Sequence, residues 1–185
     1  MFSKETRWHF ENRVHKYRVP ENMLCWLLDS SSLTARIISA CSGRFRVQVL
    51  SQHWTSPQQN EARRLAMRER QVALVREVYL YCDDTPWVFA RTVIPRSTLT
   101  GREKYLANLG NKPLGAVLFA DPFMHRDQFE VACIRPGEYL YQRATEAGRD
   151  VSPDAIWGRR SAFYLSNKPL LVNEIFLPAI ARCPL

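Results

Sequence analysis

The stretch VALVREVYLY (72–81), followed by CDDTP (82–86) and WVFARTVI (87–94), decides the fold of this chain. Both flanking segments are rich in β-branched and aromatic residues, which favour strands. The Asp and Pro residues between them are typical of a tight turn. We therefore predict an antiparallel β-hairpin over residues 72–94.

Further strand candidates lie on both sides of this hairpin. Phe45, Val47 and Val49 alternate with polar residues, which is the period-2 pattern of a half-buried strand. The remaining candidates are FEVACI (129–134), SAFYL (161–165) and LLVNEIFL (170–177). Together with the hairpin, these segments predict about six strands.

Helical segments are predicted in groups between the strands. Residues 21–40 are expected to form two short helices, with the serines at 30–32 capping the second. A capping box of Thr100 and Glu103 predicts a helix that Gly110 ends, and a further short helix follows Pro113. Polar connections with some helix are expected at 55–70 and 135–156. Because the helices are grouped and no βαβ pattern repeats, we predict an α+β fold with a single antiparallel sheet.

The length and composition of the chain indicate a globular protein. It has 185 residues, of which 46% are hydrophobic and 24% charged, a composition well away from that of disordered chains. We expect a single domain over residues 1–185, in which residues 1–20 form a basic N-terminal extension whose order the sequence leaves open. No apolar stretch approaches the ~20 residues that a membrane-spanning helix needs.

The N-terminus and the cysteines are typical of a cytoplasmic protein. MFSKETRWHF (1–10) lacks the apolar region of a secretory signal. The five cysteines are widely spaced and odd in number, so a complete disulfide framework is excluded and reduced, mostly buried thiols are expected. The four histidines occur singly, and their spacing gives no reason to expect a metal site.

The excess of basic residues has two interpretations. The chain carries 26 Lys and Arg against 18 Asp and Glu, a formal net charge of +8. This balance fits either a nucleic-acid surface or a basic pocket for an anionic small molecule. Charge alone does not choose between them.

Three charged residues fall in otherwise apolar rows of the predicted strands. Side chains alternate across a sheet, which puts Arg76, Arg91 and Glu174 each on a face whose other members are apolar. A buried unpaired ion costs several kcal/mol, so each group needs a partner, a ligand or water. One interpretation is an internal Arg–Glu bridge. The other is a shared pocket for an anionic ligand, since two cations against one carboxylate leave spare positive charge for gripping a carboxylate.

Three blocks of sequence identify a family resemblance. They are REVYLYCDDTPWVFARTVIPRSTLTG (76–101), KPLGAVLF (112–119) and WGRRSAFYLSNKPLLVNEIFLP (157–178). In this order they resemble the chorismate lyases (chorismate pyruvate-lyases) of the ubiquinone pathway. The resemblance covers most of residues 72–178, and a looser match continues through LCWLLDSSSLTARI (24–37).

The resemblance implies a lyase that converts chorismate to 4-hydroxybenzoate and pyruvate without a metal or an organic cofactor. The implied fold is an antiparallel sheet with helical flaps over an enclosed site. We expect a monomer that takes a small-molecule substrate and has no nucleic-acid partner and no membrane span. Slow release of the product is a further expectation from the family.

The resemblance also assigns roles to residues of this chain. Arg76 corresponds to the group that holds the ring carboxylate, and Glu174 to the group at the hydroxyl end. Leu114 corresponds to a residue that offers backbone contacts, Leu33 to a flap residue, and Arg91 to a group at the approach to the site. We interpret Arg91 as the partner of the enolpyruvyl carboxylate and Glu174 as an acid or base.

Residues 157–160 are expected to form a turn into the next strand, in which Arg159 or Arg160 bridges carboxylates.

Two other functions stay open. The same fold serves as the effector-sensing domain of bacterial transcription regulators, which predicts binding of an aromatic acid without turnover. A nucleic-acid binder would instead show affinity that falls steeply with salt.

Overall fold

The computed structural model describes residues 4–13, 19–146 and 153–182 of the chain. Its strands form one antiparallel sheet in the order β1-β6-β7-β8-β4-β3-β2, with β5 paired to β7. The strands are β1 (His9–Phe10), β2 (Phe45–Thr55), β3 (Ala73–Cys82), β4 (Thr85–Pro95), β5 (His125–Arg126), β6 (Glu130–Ile134), β7 (Ile156–Leu165) and β8 (Lys168–Phe176). The predicted α+β fold is confirmed, and the six longer strands are those that the sequence indicated.

Short helices pack on both faces of this sheet. They are α1 (Glu21–Leu27), α2 (Leu33–Ala40), α3 (Gln59–Arg64), α4 (Leu114–Phe119) and α5 (Tyr139–Thr145), with 3-10 turns at Glu11–Arg13, Gly101–Asn108 and Ile180–Arg182. On one face, α1, α2 and α4 bury apolar residues against the middle strands. On the other, α3 and α5 lie over the same strands. The central strands are therefore buried on both faces.

The predicted hairpin consists of β3, β4 and a two-residue turn at Asp83 and Asp84. Next to the turn, Cys82 pairs with Thr85 and Tyr81 with Pro86, but the next pair is Leu80 with Val88. Trp87 is thus an extra residue in β4, a β-bulge that shifts the register by one position. From Val88 onwards, each side chain of β4 lies on the face opposite to the one that it would occupy in a hairpin without the bulge.

Two local predictions were wrong, and one was right. Ser32 caps α2 as expected, since its Oγ accepts a hydrogen bond from the amide of Ala35 at 3.4 Å. Residues 101–108 form a 3-10 helix, and the hydroxyl of Thr100 donates to the carbonyl of Ser97 instead of capping it. Residues 157–160 belong to β7 and form no turn, because their backbone pairs with β6 and β8.

Two of the five cysteines are joined in the structure, which corrects the expectation of reduced thiols throughout. Cys41, at the end of α2, forms a disulfide with Cys82 at the end of β3, and their Cα atoms lie 5.7 Å apart. An odd number of cysteines excludes a complete framework but does not exclude one bridge. Cys25 and Cys133 are free thiols.

Some expectations concern residues that lie outside the described ranges. These are the thiol of Cys183, residues 1–3 and 14–18 of the N-terminal extension, and residues 147–152 of the polar connection. The described part of the extension contributes β1, which pairs with β6. In the described ranges, no helix combines the length and apolar character that a bilayer span requires.

Candidate active site

A cavity lies between the sheet and the helices on one face. The floor comes from β2, β3, β4, β7 and β8, and the lining includes Val47, Val78, Leu80, Ala90, Thr92, Phe163 and Val172. The arrangement is an apolar pocket into which a few charged groups project.

Helices α2 and α4 cover the cavity and meet at a glycine. Leu33 and Thr34 of α2 and Leu114, Gly115 and Leu118 of α4 all line the cavity. A Cβ atom on Gly115 would lie 2.8 Å from the hydroxyl oxygen of Thr34, closer than atoms of neighbouring side chains approach. The glycine therefore allows the two covering helices to pack closely over the pocket.

Arg76 projects from β3 into this cavity and is 2% exposed. Its Nη2 donates to the carbonyl of Gly110 at 2.8 Å and to that of Lys112 at 3.4 Å, while its Nε has no partner. No carboxylate of the described residues forms an ion pair with it. Burial lowers the pKa of Arg76, although a guanidinium remains charged at neutral pH. The cavity therefore contains a fixed positive charge with spare hydrogen-bonding capacity.

Glu174 of β8 and Arg159 of β7 form an ion pair in the same cavity. They stand opposite each other in the sheet, and Arg159 Nε donates to Glu174 Oε2 at 2.6 Å. Arg159 is 1% exposed and also donates to the carbonyls of Trp26 and Asp29, at the end of α1 and in the loop that follows it. The pair fixes the orientation of the Glu174 carboxylate and links the floor to the helical cover.

A third arginine, Arg126 of β5, also lines the cavity. Its Nε donates to Ser161 Oγ and its Nη1 to the carbonyl of Ser30, both at 3.0 Å. The guanidinium stacks against the rings of Phe129 and Phe163, with its carbon 5.6 and 5.2 Å from their centres. Among the described residues no carboxylate forms an ion pair with it.

The expectation that Arg91 shares this pocket is wrong. Arg91 lies on the opposite face of the sheet, where its Nε and Nη2 donate to Glu61 of α3 at 2.8 and 3.1 Å and its Nη1 donates to Glu77 at 2.8 Å. The reason is the bulge at Trp87, which makes Thr92 the residue opposite Arg76. For Arg91, the internal bridge is therefore the correct interpretation.

The network around Arg91 joins charged and neutral side chains in close pairs. Arg143 of α5 donates to Glu77 Oε2 at 2.6 Å from the other side, and Asn173 of β8 donates to Glu61 Oε1 at 3.1 Å. Burial on its own would raise the pKa of Glu77, but the hydrogen bonds and charges of Arg143 and Arg91 outweigh it and lower that pKa. This cluster connects α3, α5 and three strands, and it has the features of a structural ion network.

The sequence reasoning missed two charged residues of the cavity. Arg159 could have been found by extending the strand at 161–165 backwards, because with a period of two it shares a face with Ser161 and Phe163. Arg126 gave no comparable signal, since β5 has only two residues. The structure brings Arg76, Glu174, Leu33 and Leu114 together in one lining, as the resemblance implied, and leaves Arg91 outside it.

Comparison with solved structures shows that the architecture is a known one. The C-terminal domain of the histidine utilization repressor from Pseudomonas syringae pv. tomato superposes with a TM-score of 0.58 at 13% identity, covering 76% of this chain and 96% of that one. A transcriptional regulator of the GntR family from Bacillus cereus gives 0.53 at 12% identity, covering 73% and 92%. At these identities the similarity concerns the fold alone.

Comparison of sequences identifies the family. The profile described as chorismate lyase matches residues 5–182. Proteins named probable chorismate pyruvate-lyase are 44% identical in Aromatoleum aromaticum, over 93% of both chains, and 46% identical in Psychromonas ingrahamii, over 86% of this chain and 84% of that one. A protein of the same name from Methylococcus capsulatus is 41% identical over 88% of this chain and 98% of its own length. The chain therefore belongs to the chorismate lyase family.

Proposed function

We propose that this protein is a chorismate pyruvate-lyase that converts chorismate to 4-hydroxybenzoate and pyruvate. The observation that carries the proposal is the charge of the cavity, in which Arg76 has no carboxylate partner among the described residues while Glu174 lies in the same apolar lining. Chorismate is a ring with a carboxylate on C1, an enolpyruvyl ether on C3 and a hydroxyl on C4. An apolar pocket with surplus arginine suits such an anion.

In the proposed complex, Arg76 holds the ring carboxylate. Its position at the base of the pocket supports this role, because two backbone carbonyls fix the guanidinium without neutralising it. A guanidinium with free N–H groups binds a carboxylate by more than one hydrogen bond and so fixes the orientation of the ring. The opposite end of the ring, which carries the hydroxyl, would then face Glu174.

The reaction combines the loss of one proton with the cleavage of one bond. The C4–H bond loses its proton and its electron pair completes the aromatic ring, while the ether bond at C3 breaks and its electrons leave with the enolpyruvyl oxygen. The proton given up at C4 balances the proton that the enolpyruvate gains on becoming pyruvate. Aromatisation makes this step favourable, and the pocket adds orientation, electrostatics and an acceptor for the C4 proton.

Glu174 is the proposed acceptor at C4. Arg159 donates a hydrogen bond to its Oε2, which holds the carboxyl group in place. A carboxylate at this position can accept a hydrogen bond from the C4 hydroxyl and take the proton from C4. The covering helices α2 and α4 would keep water away from the reacting substrate.

A coupled assay tests the proposal. Purified protein is mixed with chorismate and a chelator, and 4-hydroxybenzoate is followed by absorbance while lactate dehydrogenase reports pyruvate. We expect equal amounts of both products, turnover lowered by about 100-fold or more in Arg76→Met, and no change in Arg96→Met, which alters an exposed arginine. Tight binding of 4-hydroxybenzoate without turnover would instead indicate a sensing domain. If the protein showed no binding of 4-hydroxybenzoate and no turnover of chorismate, the proposal would be refuted.

A further inference from the structure

We propose that Arg126 binds the enolpyruvyl carboxylate of chorismate and so distinguishes the substrate from 4-hydroxybenzoate. This inference rests on the proposed function and adds a residue to it. Arg91, the residue that the sequence indicates for this role, lies on the other face of the sheet because of the bulge at Trp87. The substrate is a dianion, and its second carboxylate needs a partner in an apolar pocket.

The charges of the cavity leave one candidate for that partner. Three arginines line the pocket, and one of them, Arg159, is neutralised by Glu174. Arg76 and Arg126 have no ion pair with any described carboxylate, so the lining offers two positive charges for the two carboxylates of chorismate. Because Arg76 is assigned to the ring carboxylate, Arg126 remains for the other.

The contacts of Arg126 hold it in place without reducing its charge. Ser161 and the carbonyl of Ser30 accept hydrogen bonds from its Nε and Nη1, and two aromatic rings support the plane of the guanidinium. Its Nη2 makes no hydrogen bond to the described protein atoms. A guanidinium with neutral partners and a free N–H group is suited to an incoming carboxylate.

The order of the strands matches the order of groups on the substrate. Arg76 lies on β3, Glu174 on β8, and Arg126 on β5 beyond β7, so the strand that carries Glu174 lies between the strands that carry the two arginines. Four strand spacings separate β3 from β5, about 19 Å between backbones, a distance that two arginine side chains with one substrate ring between them can span. On chorismate the C4 hydroxyl is opposite the C1 carboxylate and adjacent to the C3 ether. Glu174 is also near enough to Arg126 for its charge to oppose the effect of burial on the pKa of that arginine.

This geometry has a consequence for the affinities of substrate and product. When the ether bond at C3 breaks, the second carboxylate leaves with pyruvate, and 4-hydroxybenzoate no longer has a group for Arg126. The contact therefore stabilises chorismate and the transition state but not the aromatic product. Arg76, in contrast, would bind both.

Two stable ligands test the assignment independently of turnover. The dianionic probe is 3-(1-carboxyethoxy)-4-hydroxybenzoate and the monoanionic probe is 4-hydroxybenzoate, each titrated by intrinsic fluorescence. In Arg126→Met we expect affinity for the dianion and kcat/KM for chorismate to fall by about 100-fold, with affinity for 4-hydroxybenzoate changed by less than about threefold. Arg126→Lys restores part of the loss because it keeps the charge. Arg102→Met, which alters an arginine with a 70% exposed side chain, is the matched control.

Two results would overturn the assignment. An equal loss of affinity for both ligands would mean that Arg126 shapes the pocket or binds the ring carboxylate, and unchanged affinity for the dianion would mean that the second carboxylate binds elsewhere. Retained binding of 4-hydroxybenzoate by Arg126→Met also shows that the variant is folded. If wild-type protein discriminates the two ligands through Arg126 but does not turn over chorismate, the proposed lyase reaction fails while this assignment holds.

Discussion

Arg76 and Arg91 lie on adjacent, paired strands but project from opposite faces of the sheet. Arg76 stands opposite Thr92, and Arg91 stands opposite Glu77. Residues that pair directly across an antiparallel ladder share a face, so one arginine enters the cavity and the other enters the ion network beneath α3 and α5. The single extra residue in β4, Trp87, is the reason that the two arginines lie on different faces.

Replacing Arg91 is expected to reduce stability without affecting ligand affinity. In Arg91→Met, Glu61 loses two hydrogen bonds from the guanidinium and Glu77 loses one. Breaking a buried ion pair from one side costs about 3–5 kcal/mol. Urea unfolding should show a loss of this size, while the dissociation constant of 4-hydroxybenzoate changes by less than about threefold.

The comparison variant for this experiment is Arg76→Met, in which the arginine removed lies on the pocket face. It should lose affinity for 4-hydroxybenzoate by about 100-fold. If Arg91→Met lost ligand affinity to the same extent and kept its stability, the division between the two faces would not hold.

Much of the fold could be predicted because its elements have strong local patterns. The hairpin at 72–94 and the strands near 130 and 170 lie within one or two residues of their predicted bounds. Residues 157–160 were misassigned because Gly158 and two arginines are atypical of a strand. In the structure Gly158 leaves room there for neighbouring side chains, since a Cβ atom would lie 3.0 Å from the side chains of both Ile134 and Ile175.

The site could be predicted only in part. The alternation of side chains within one strand can be read from its own sequence, but the pairing of residues between strands cannot. Continuing the pairing next to the Asp83–Asp84 turn would place Arg91 directly opposite Arg76. The bulge at Trp87 places Thr92 opposite Arg76 instead, and nothing in the composition of this segment indicates a bulge. Arg159 and Arg126 depend on long-range pairing with β8 and β7, which a single sequence does not specify.

Glu174→Gln is expected to lower turnover more than product affinity. A glutamine keeps the size of the side chain and can still hydrogen-bond a hydroxyl, but it cannot accept the proton from C4. We expect kcat to fall by about 100-fold or more and affinity for 4-hydroxybenzoate to fall by about tenfold or less. Steady-state kinetics and fluorescence titration measure the two quantities separately.

Glu103→Gln is the control for this variant. Glu103 is also ion-paired, with Lys168 at 2.6 Å, and it is buried, but it does not line the cavity. It should keep the wild-type kcat. If Glu174→Gln kept the wild-type turnover, Glu174 would only position the substrate and would not accept the proton from C4.

Gly115→Ala should loosen the helical cover. The new methyl group would meet the hydroxyl of Thr34 at 2.8 Å, so the Thr34 side chain or the two helices must shift. We expect 4-hydroxybenzoate to dissociate about tenfold faster, equivalent to about 1.4 kcal/mol. Stopped-flow fluorescence measures this rate directly.

A second substitution tests the cause of that change. Thr34→Ala removes the oxygen that collides with the new methyl group, so the double variant Gly115→Ala/Thr34→Ala should return the dissociation rate towards the wild-type value. Failure of the rescue, or an unchanged rate in Gly115→Ala alone, would show that close packing at this glycine does not hold the cover in place.

The network of Glu77 predicts how stability depends on pH. The pKa of Glu77 in the folded protein is below its ordinary value of 4.5, because Arg143 and Arg91 outweigh the opposing effect of burial. The folded state therefore binds this proton less readily than the unfolded state, and the contribution to stability is present above about pH 4.5 and is lost as the pH falls through the folded-state pKa.

Glu77→Gln does not titrate, so the difference in unfolding free energy between this variant and the wild type should become smaller as the pH falls from about pH 6 to about pH 3.5. Urea unfolding across this range measures the difference, with the exposed Glu21→Gln as control. A difference that stayed constant with pH would mean that the ion pairs of Glu77 do not stabilise the folded state.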